Sequence, residues 1–554
     1  MANNLLRSIG LVSAVALIPA ATAALAAVDV STYRELDQFM NVFERVRGEY
    51  VDKVDDKTLI KGAIDGMLAS LDPHSSYLDA RDFQNLKTQT DGAYGGLGLT
   101  VSMEDGAVKI ITPTEDTPAF RAGLKAGDYI THLDNQLIYG GTLDEAVDKM
   151  RGKPGTAIRL TIVRPGRDKP FDVSLTREII QLKPVKWEIK NGVGIVNINT
   201  FSKTTGEAVR AALTSIDKAL GKQPLGYVVD LRSNPGGLLD QAIDVASEFL
   251  PRGQVVVSVK GRTEYSQPYV YKSTGSDPAT LPLVILINRN TASASEIVAG
   301  AIQDHGRGLI VGETSFGKGL VQRIFQLPFN TGLTLTTARY YTPYGRSLQR
   351  DYSSGSIYDY YTRHDSTETA PAPGPRNLES PLALASPTPH PHTGPPVQTA
   401  VGRVFYGGGG ITPDIEIKEP AATPVRLRIA EAAFHFTRPL AAGVVPGLES
   451  YKVDKVQYGK NPKASDFVIS DRVLEAFRNY VRTHAENNLQ PAQIDEELEF
   501  AKLRLRQEII TAAYSNDAGA RVLLDNDAQV LRALEALPDA KRLADNARNG
   551  VWQG

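Results

Sequence analysis

Between residues 185 and 345 the chain alternates short β-branched runs with longer segments of helical pattern. Most of these short runs are apolar along their whole length, as strands are when both faces of their sheet are covered. The helical segments between them have the length of crossover connections. This alternation predicts an α/β domain with a mainly buried sheet. The predicted strands are 193–198, 227–231, 255–259, 283–287, 320–325 and 333–340.

Charge and composition exclude several classes of function. The chain has 61 Lys and Arg against 63 Asp and Glu, a formal net charge of −2. Nucleic-acid binding needs an excess of basic charge to neutralise phosphates, so no nucleic-acid partner is expected. The chain contains no cysteine, which excludes disulfides, thiolate metal sites and a cysteine nucleophile.

The N-terminus has the pattern of an export signal. Arg7 precedes an apolar stretch at 9–28 that carries no charge and ends in Ala24-Leu25-Ala26-Ala27. Small residues at that place fit a signal-peptidase site, so residues 1–27 are predicted to be a cleaved signal peptide and the mature protein to be periplasmic. An uncleaved membrane anchor is the alternative, because about 20 apolar residues can cross a bilayer.

Residues 28–90 and 91–178 differ in pattern. The first region carries apolar residues at helical spacing and is expected to be helical. The second consists of short alternating runs between glycine turns. Two of its motifs, in this order, resemble those of a PDZ domain: Tyr94-Gly95-Gly96-Leu97-Gly98-Leu99 and Ala122-Gly123-Leu124-Lys125-Ala126-Gly127-Asp128.

The resemblance to a PDZ domain implies binding of a peptide through its C-terminus. A glycine-rich turn exposes backbone N–H groups that hold a terminal carboxylate, and the strand after it offers an edge to an added peptide strand. Apolar residues of the following helix would line a side-chain pocket. The expected peptide-binding residues are Gly95, Gly96, Leu97, Gly98, Leu99, Val147 and Met150.

The composition changes again after residue 350. Nine of the 26 residues from Pro371 to Pro396 are proline, and such a segment cannot bury enough apolar surface to offset its ordering entropy. Residues 351–400 are therefore predicted to be a flexible insertion into the α/β domain, whose two parts are 179–350 and 401–420. Residues 421–554 are charged and helical in pattern and are expected to form a C-terminal helical region.

Three segments that follow predicted strands carry the candidate catalytic residues. In the second, Ser293-x-x-Glu296 before an apolar helix is also the pattern of a capping box, which alone indicates a helix start. In the third, Gly319 stands where a phosphate-binding loop requires Ser or Thr. The segments are Asp230-Leu231-Arg232-Ser233-Asn234-Pro235-Gly236-Gly237, Thr291-Ala292-Ser293-Ala294-Ser295-Glu296 and Gly312-Glu313-Thr314-Ser315-Phe316-Gly317-Lys318-Gly319-Leu320-Val321-Gln322.

Together these segments resemble the C-terminal processing peptidases, also called tail-specific proteases. The resemblance spans residues 35–350, resumes at 410–414 and includes Leu71-Asp72-Pro73-His74-Ser75-Ser76-Tyr77. It implies a ClpP/crotonase-like core with an inserted PDZ domain, and a Ser–Lys dyad that uses no cofactor or metal. It also implies protein substrates taken by their C-terminal tails, with a homo-oligomer and an adaptor protein as further candidate partners.

The same resemblance assigns roles residue by residue. It puts the nucleophile at Ser293 rather than Ser295, the base at Lys318 and a glutamine that orients the lysine at Gln322. The oxyanion hole falls on the backbone N–H groups of Gly237 and Ala294. Asp304 matches an acidic position of the family and is expected to support the reaction.

A Ser–Lys dyad sets two physical conditions. Lysine serves as a base only when it is neutral, and its ordinary pKa is about 10.4, so work near pH 7 needs a depression of roughly 3 units. Burial beside Phe316 is the expected source of this depression. A helix that begins at Ser293 supplies unpaired N–H groups at the place where an oxyanion forms.

Other mechanisms fit the sequence less well. A Ser–His–Asp triad would need His305, but consecutive residues on a helix point about 100° apart, so Asp304 cannot orient it. No His-Glu-x-x-His or comparable metal motif is present. The competing class of function is a non-catalytic tail-binding scaffold. Such a scaffold is expected to have lost the Ser or the Lys, and this chain retains both.

Overall fold

The structure is a computed structural model of the chain. It describes residues 30–104, 106–263, 268–276, 279–352, 360, 394–400, 402–457 and 461–549. The predicted signal peptide at 1–27 lies outside the described residues. Of the predicted insertion at 351–400, the described residues are 351, 352, 360 and 394–400.

The first described helices belong to a compact unit that ends at Leu71. They are Val30–Glu49 (α1) and Asp56–Ala69 (α2). Asp55 caps α2, because its carboxylate accepts the backbone N–H groups of the first turn. Several apolar side chains of α1 are exposed: Tyr33, Leu36, Phe39, Met40, Val42 and Val46.

The PDZ-like region folds as an antiparallel sheet with two short helices. After Ser76–Leu78 (β1) and Ala80–Asp91 (α3), its elements are Ala93–Gly96 (β2), Leu99–Glu104 (β3), Ala107–Pro113 (β4), Pro118–Arg121 (α4), Tyr129–Leu133 (β5), Gln136–Leu137 (β6), Leu143–Met150 (α5), Ala157–Val163 (β7), Phe171–Thr176 (β8) and Glu178–Gln181 (β9). Strands β3, β4, β5, β7 and β8 form the sheet in that order, and β6 pairs with β5. Strand β2 pairs with β9, so the chain enters and leaves this module side by side.

The α/β domain follows. Its elements are Val185–Lys190 (β10), Val193–Ile198 (β11), Thr205–Leu220 (α6), Tyr227–Asp230 (β12), Leu239–Ser247 (α7), Val255–Gly261 (β13), Tyr269–Lys272 (β14), Leu283–Ile287 (β15), Ala294–Asp304 (α8), Leu309–Gly312 (β16), Leu320–Gln326 (β17), Gly332–Tyr341 (β18), Pro396–Gln398 (β19), Val404–Tyr406 (β20) and Ile415–Glu416 (β21). The central sheet has the order β10-β11-β12-β15-β16-β21. Strand β10 is antiparallel to β11, and the other neighbouring strands are parallel.

The C-terminal region is helical, as predicted. Its helices are Pro424–Ala442 (α9), Asp471–Thr483 (α10), Pro491–Glu496 (α11), Leu498–Ala513 (α12), Asn516–Leu524 (α13), Ala528–Glu535 (α14) and Leu537–Asn549 (α15). Phe436 of α9, Phe477 of α10 and Leu505 of α12 meet in a buried core of their own. Within the described residues, no helix is both long and apolar enough to cross a membrane.

Both faces of the central sheet are covered. On one face, Val196 and Ile285 belong to the core that α6, α7 and α8 complete. On the other face, Val228 and Val284 pack with Val530 of α14 and other residues of α14 and α15. The last two helices of the chain therefore close the sheet that carries the candidate catalytic segments.

The strand predicted at 255–259 lies in a different sheet from the one expected. Strand β13 pairs with β14 and β18, and β18 also pairs with β1 and β17, all antiparallel. The run Val-Val-Val-Ser-Val is apolar because Val256 and Val257 are buried in the same core as α7 and α8. An apolar run indicates burial, and burial does not specify the neighbouring strand.

The segment predicted as a flexible insertion is ordered in two described places. Strand β19 pairs with β20, so residues 396–398 belong to a hairpin. The side chain of Tyr360 is buried. Most of the prolines between residues 371 and 396 lie outside the described residues.

Candidate active site

Ser293 stands at the turn from β15 into α8. Its backbone has φ 56° and ψ −116°, a conformation that residues with a Cβ rarely adopt. Neighbouring hydrogen bonds hold the turn: the Ala292 N–H donates to Asn234 O at 3.0 Å and the Phe316 N–H to Thr291 O at 2.9 Å. A strained strand-to-helix turn of this kind exposes a serine hydroxyl at the start of a helix.

The two serines of this segment differ in access. Ser293 is partly exposed, whereas Ser295 is fully buried. The Ser295 hydroxyl donates to Asn234 O at 3.1 Å. Of the two, Ser293 is therefore the one that a substrate can reach.

The carboxylate of Glu296 joins the serine turn to the loop that carries Lys318. Its Oε2 atom accepts the backbone N–H groups of Ser293 and Lys318, both at 2.8 Å. Its Oε1 atom accepts the Gly317 N–H at 2.7 Å and the Ser315 hydroxyl at 2.6 Å. Glu296 is fully buried, and burial raises the pKa of its carboxyl although these four hydrogen bonds oppose the shift. The glutamate of the predicted capping box thus also holds two candidate catalytic segments together.

Lys318 lies between β16 and β17, in a largely buried position. Burial lowers the pKa of its ammonium below the usual value, while the negative charges of Glu296 and Asp72 oppose this shift. The direction is the one that a lysine base requires. Among the described residues, no hydrogen bond joins Lys318 Nζ to Ser293 Oγ, and Glu296 is what connects the two residues.

Gly236 and Gly237 bring the first segment against the start of α8. A Cβ on Gly236 would lie 2.8 Å from Ser293 Cβ and 2.9 Å from Ala294 N. Gly237 has φ 145°, and a Cβ there would lie 2.3 Å from Phe201 O, so both positions require glycine. Within the described part of the chain, the Gly237 and Ala294 N–H groups donate no hydrogen bond, as oxyanion-hole donors must not.

Gln322 does not contact the lysine directly. Its Nε2 atom donates to Thr336 Oγ1 at 3.1 Å, and the Thr336 hydroxyl donates to Asp72 Oδ1 at 3.0 Å. Asp72 also accepts the Ser75 N–H at 2.9 Å and the Ser75 hydroxyl at 2.7 Å. Gln322 thus reaches a carboxylate whose charge acts on Lys318, where the resemblance implied contact with the lysine itself.

Asp304 and His305 lie at the far end of α8. Asp304 is 11 positions after Ser293, about 16 Å along a helix. It is fully buried, forms an ion pair with Arg346 and accepts the Tyr344 N–H at 3.1 Å. The His305 Nε2 atom contacts Val255 O at 2.7 Å. At that distance neither side chain can contact Ser293 directly, so a supporting role of Asp304 would act through α8 and stays a prediction.

The C-terminal region also reaches the first catalytic segment. Arg232 Nη1 lies 2.7 Å from Asp527 Oδ2 and 2.8 Å from Gln529 Oε1, at the start of α14. Arg232 also pairs with Asp230 of its own segment at 2.7 Å. The segment that ends in Gly237 is therefore held by residues near the end of the chain.

Most of the predicted peptide-binding residues surround one small cavity between β3 and α5. Its volume is about 70 Å³. Gly95 is the exception, because it lies on β2, where a Cβ would be 2.1 Å from Gly152 O. Arg151, which no sequence motif singled out, lines the cavity with its guanidinium 5.2 Å from the centre of the Tyr94 ring. The lining residues are Tyr94, Gly96, Leu97, Gly98, Leu99, Val101, Val147, Met150 and Arg151.

Several residues of the site carried no assigned role in the sequence. Tyr340 of β18 is fully buried and donates its hydroxyl to Ser293 O at 3.3 Å. His74 lies beside Lys318, and burial, followed by the charge of Lys318, lowers the pKa of His74 to about 4. In the sequence, the motif at 71–77 includes Asp72 and His74 but indicates no interaction partner for either residue. Among the described residues, no three His, Asp or Glu side chains are grouped as metal ligands.

Comparisons with known proteins match three parts of the chain. Residues 192–360 match peptidase family S41, 95–175 a PDZ domain, and 18–82 the N-terminal domain of the activating protease CtpB. The carboxy-terminal-processing protease of Bartonella bacilliformis is 48% identical over 320 residues, which are 58% of this chain and 74% of that protein. The carboxy-terminal processing protease CtpB of Bacillus subtilis is 33% identical over 374 residues, 66% of this chain and 75% of that protein.

The α/β fold and the matches to peptidase family S41 and to a PDZ domain together define a serine protease that carries a PDZ domain. The chain belongs to the carboxy-terminal processing proteases of peptidase family S41. The family, the enzyme class and the α/β fold with a PDZ domain and helical regions are confirmed as predicted. The competing scaffold function is not favoured, because the named relatives are proteases.

Proposed function

We propose that the protein is an exported endopeptidase that cleaves protein substrates from their C-terminal tails, with Ser293 as nucleophile and Lys318 as base. The observation that carries this proposal is the Glu296 carboxylate, which accepts the N–H groups of both residues on one oxygen atom. A shared acceptor fixes the distance between two loops that are otherwise separate. Such positioning is a large part of what an enzyme contributes to a reaction between two groups.

In the first half of the reaction, neutral Lys318 accepts the proton of the Ser293 hydroxyl while Oγ attacks the substrate carbonyl carbon. The oxyanion that forms is stabilised by the unpaired N–H groups of Gly237 and Ala294. We expect substrate binding to bring Ser293 Oγ and Lys318 Nζ into hydrogen-bond distance, because catalytic hydrogen bonds often tighten only in the substrate complex.

In the second half, the protonated Lys318 gives its proton to the leaving amine, and an acyl-enzyme remains on Ser293. Water then attacks the acyl carbon and gives its proton to Lys318, which is neutral again after the amine has left. The free enzyme is restored when Lys318 returns this proton to Ser293 Oγ. Each step uses the same base, so the pKa of Lys318 controls both halves.

The PDZ groove is proposed to bind the substrate's tail. The turn at 96–98 would hold the terminal carboxylate, and Val147 and Met150 would contact the last side chain. Arg151 places a positive charge at the same cavity. These features support recognition of an unmodified C-terminus by charge and by an apolar anchor.

Export and self-association complete the proposal. The apolar stretch at 9–28 supports export to the periplasm, and a mature N-terminus near residue 27 in the periplasmic fraction would establish it. The exposed apolar side chains of α1 support a homo-oligomer. Phe39→Asp is expected to lower the mass measured by sedimentation. An adaptor protein stays a prediction.

A serine-reactive fluorophosphonate probe tests the dyad. We expect it to label Ser293, and Ser293→Ala to lose both label and proteolysis. Lys318→Ala should reduce turnover by about 10³-fold or more with the fold intact. Ser295→Ala is the matched control and should keep the label, because Ser295 is buried. Substantial turnover by purified Lys318→Ala would end the dyad proposal.

A further inference from the structure

Tyr360 is a buried residue contributed by the segment that interrupts the α/β domain. Its side chain is 4% exposed. Its hydroxyl lies 2.9 Å from His74 Nε2 and 3.2 Å from Gln349 Nε2. The Gln349 amide donates to this hydroxyl, and the tautomer of His74 decides whether the ring or the hydroxyl donates in the bond between them.

One partner of Tyr360 is bonded to the loop that carries Lys318. The Gly319 N–H donates to Gln349 Oε1 at 2.9 Å, immediately after the lysine. Immediately before it, Gly317 O accepts the Arg350 N–H at 2.9 Å. Residues 349 and 350 therefore form hydrogen bonds with the residues that precede and follow Lys318 in the sequence.

The Tyr360 ring also packs against the loop that carries Lys318. It meets the Phe316 ring edge-on, with 5.7 Å between ring centres. The Arg350 guanidinium stacks over Phe316 at 4.1 Å and donates to Tyr360 O at 3.1 Å. His74 also meets Tyr360 edge-on at 5.3 Å. Tyr360 thus contacts His74, Gln349 and Phe316, the last of which lies on the Lys318 loop.

We propose that Tyr360 is a positioning residue for the base, because its side chain covers the Lys318 loop and keeps water from the lysine ammonium. This inference rests on the proposed role of Lys318. It makes the basicity of the catalytic lysine depend on a residue from outside the two sequence parts of the α/β domain.

The electrostatic surroundings of Lys318 agree with this role. Glu296 on α8 and Asp72 before β1 carry the negative charges that act on it, and burial is the larger influence, so the pKa of Lys318 is lowered. His74, Tyr340, Arg350 and Tyr352 are the other titratable groups packed here. All of these side chains remain when Tyr360 is replaced, and Tyr360→Phe removes only the hydroxyl bonded to His74 and Gln349. A shift that appears with Tyr360→Ala and not with Tyr360→Phe therefore reports altered access of water to the lysine.

The test compares the pH profile of kcat/KM for a small peptide ester in wild type, Tyr360→Ala and Tyr360→Phe. Tyr360→Ala should raise the acid-limb midpoint by about one pH unit, with activity recovering at alkaline pH. Tyr360→Phe keeps the ring and should stay within about 0.3 unit. Tyr269→Ala on β14 is the matched control, because this tyrosine is 60% exposed. Its profile should coincide with wild type.

A second measurement needs no turnover. In a Ser293→Ala background, labelling of Lys318 by an amine-reactive reagent is followed by mass spectrometry across pH, and its midpoint should rise with Tyr360→Ala. If that variant does not fold, Tyr360→Gln replaces it with the same expected direction. An unchanged midpoint, or activity lost equally at every pH, would overturn the inference. Activity of Lys318→Ala would instead overturn the dyad itself.

Discussion

The catalytic cleft and the PDZ groove are built in different ways. In the cleft, buried hydrogen bonds position the backbone: four donors converge on Glu296, and a glycine turn abuts Ser293. In the groove, side chains of β3 and α5 line a cavity of about 70 Å³. The cleft is therefore held by buried hydrogen bonds to the backbone, whereas the groove presents a lining of side chains to a bound tail. Substitutions in the cleft should therefore lower kcat/KM by displacing the reacting groups. Substitutions in the groove should raise KM by reducing the apolar area that a bound tail buries.

The largest effect is expected from Glu296→Gln, which tests whether the cleft is preorganised. An amide offers one acceptor and one donor group to four donors, so some buried N–H or O–H groups lose their partner. We expect kcat/KM to fall about 100-fold or more and the free energy of unfolding to drop by about 3 kcal/mol. Steady-state kinetics and urea unfolding measure these changes.

Glu313→Gln is the matched control for that variant. Glu313 begins the same loop, and its carboxylate accepts the Glu419 N–H at 3.1 Å, a bond that an amide oxygen can also accept. Its kcat/KM should stay within about threefold of wild type. Equal activity of the Glu296 and Glu313 variants would remove the contrast between a cleft held by buried hydrogen bonds and a groove lined by side chains.

Acid should weaken the cleft through His74. The pKa of His74 is lowered to about 4 in the folded protein, from 6.5 in the unfolded chain. Between these values the unfolded chain binds a proton that the folded protein does not, so stability falls as pH drops from 6.5 toward 4. The loss reaches about 3 kcal/mol. Urea unfolding at pH 7, 5.5 and 4.5 should show a shallower decline for His74→Gln, and parallel declines would contradict this.

A smaller effect is expected in the groove. Val147→Asp puts a charge on the apolar lining and should raise KM for a tailed protein substrate about tenfold, with kcat little changed. Val163→Asp is the matched control, because Val163 is 38% exposed on β7. A fall in kcat as large as the rise in KM would mean that groove and cleft are not separable.

The same variant distinguishes tethering from gating. The short return at 177–184 and the buried Lys109, which lies 4.4 Å over the Phe434 ring of α9, hold the PDZ module against other parts of the protein. We expect a saturating free tail peptide to change the hydrolysis rate of a small ester, and Val147→Asp to abolish that response. A rate indifferent to the peptide would leave tethering as the role of the groove.

The smallest expected effect is a gain in stability. Because burial lowers the pKa of Lys318, its charged form is disfavoured in the folded protein at neutral pH. Lys318→Met should raise the free energy of unfolding by about 1 kcal/mol at pH 7, and the gain should shrink as pH rises and the wild-type lysine becomes neutral. Val147→Met in the groove should show no such pH dependence. A gain that is constant from pH 7 to 10 would contradict the buried-charge argument.

Local patterns predicted the α/β elements well. Strands β11 and β15 have the predicted bounds, because each is an apolar run between turn residues. The same signal put residues 255–259 in the wrong sheet, since an apolar run reports burial and not pairing. In the C-terminal region, the helical pattern expected at 421–554 did not reveal the break at Glu497 between α11 and α12.

Contacts over long sequence distances were not predictable. Ser293 and Lys318 carry motifs, but the role of Glu296 as a shared acceptor depends on how two loops meet. The bond between His74 and Tyr360 joins residues 286 positions apart. The contact of Arg232 with Gln529 spans 297. Neither leaves a period or a motif in the chain, because each is a product of the fold.

The covered second face of the central sheet has a consequence for the timing of synthesis. Helix α14 begins at Ala528, 216 residues after β16 ends at Gly312. At a synthesis rate of about 5–20 residues per second, the last helices follow the sheet by roughly 10–40 s. In a chain without these helices, one apolar face of the sheet has no cover and Arg232 has no Asp527 to bind. We therefore expect a chain that stops before α14 to lack a complete cleft and to be inactive.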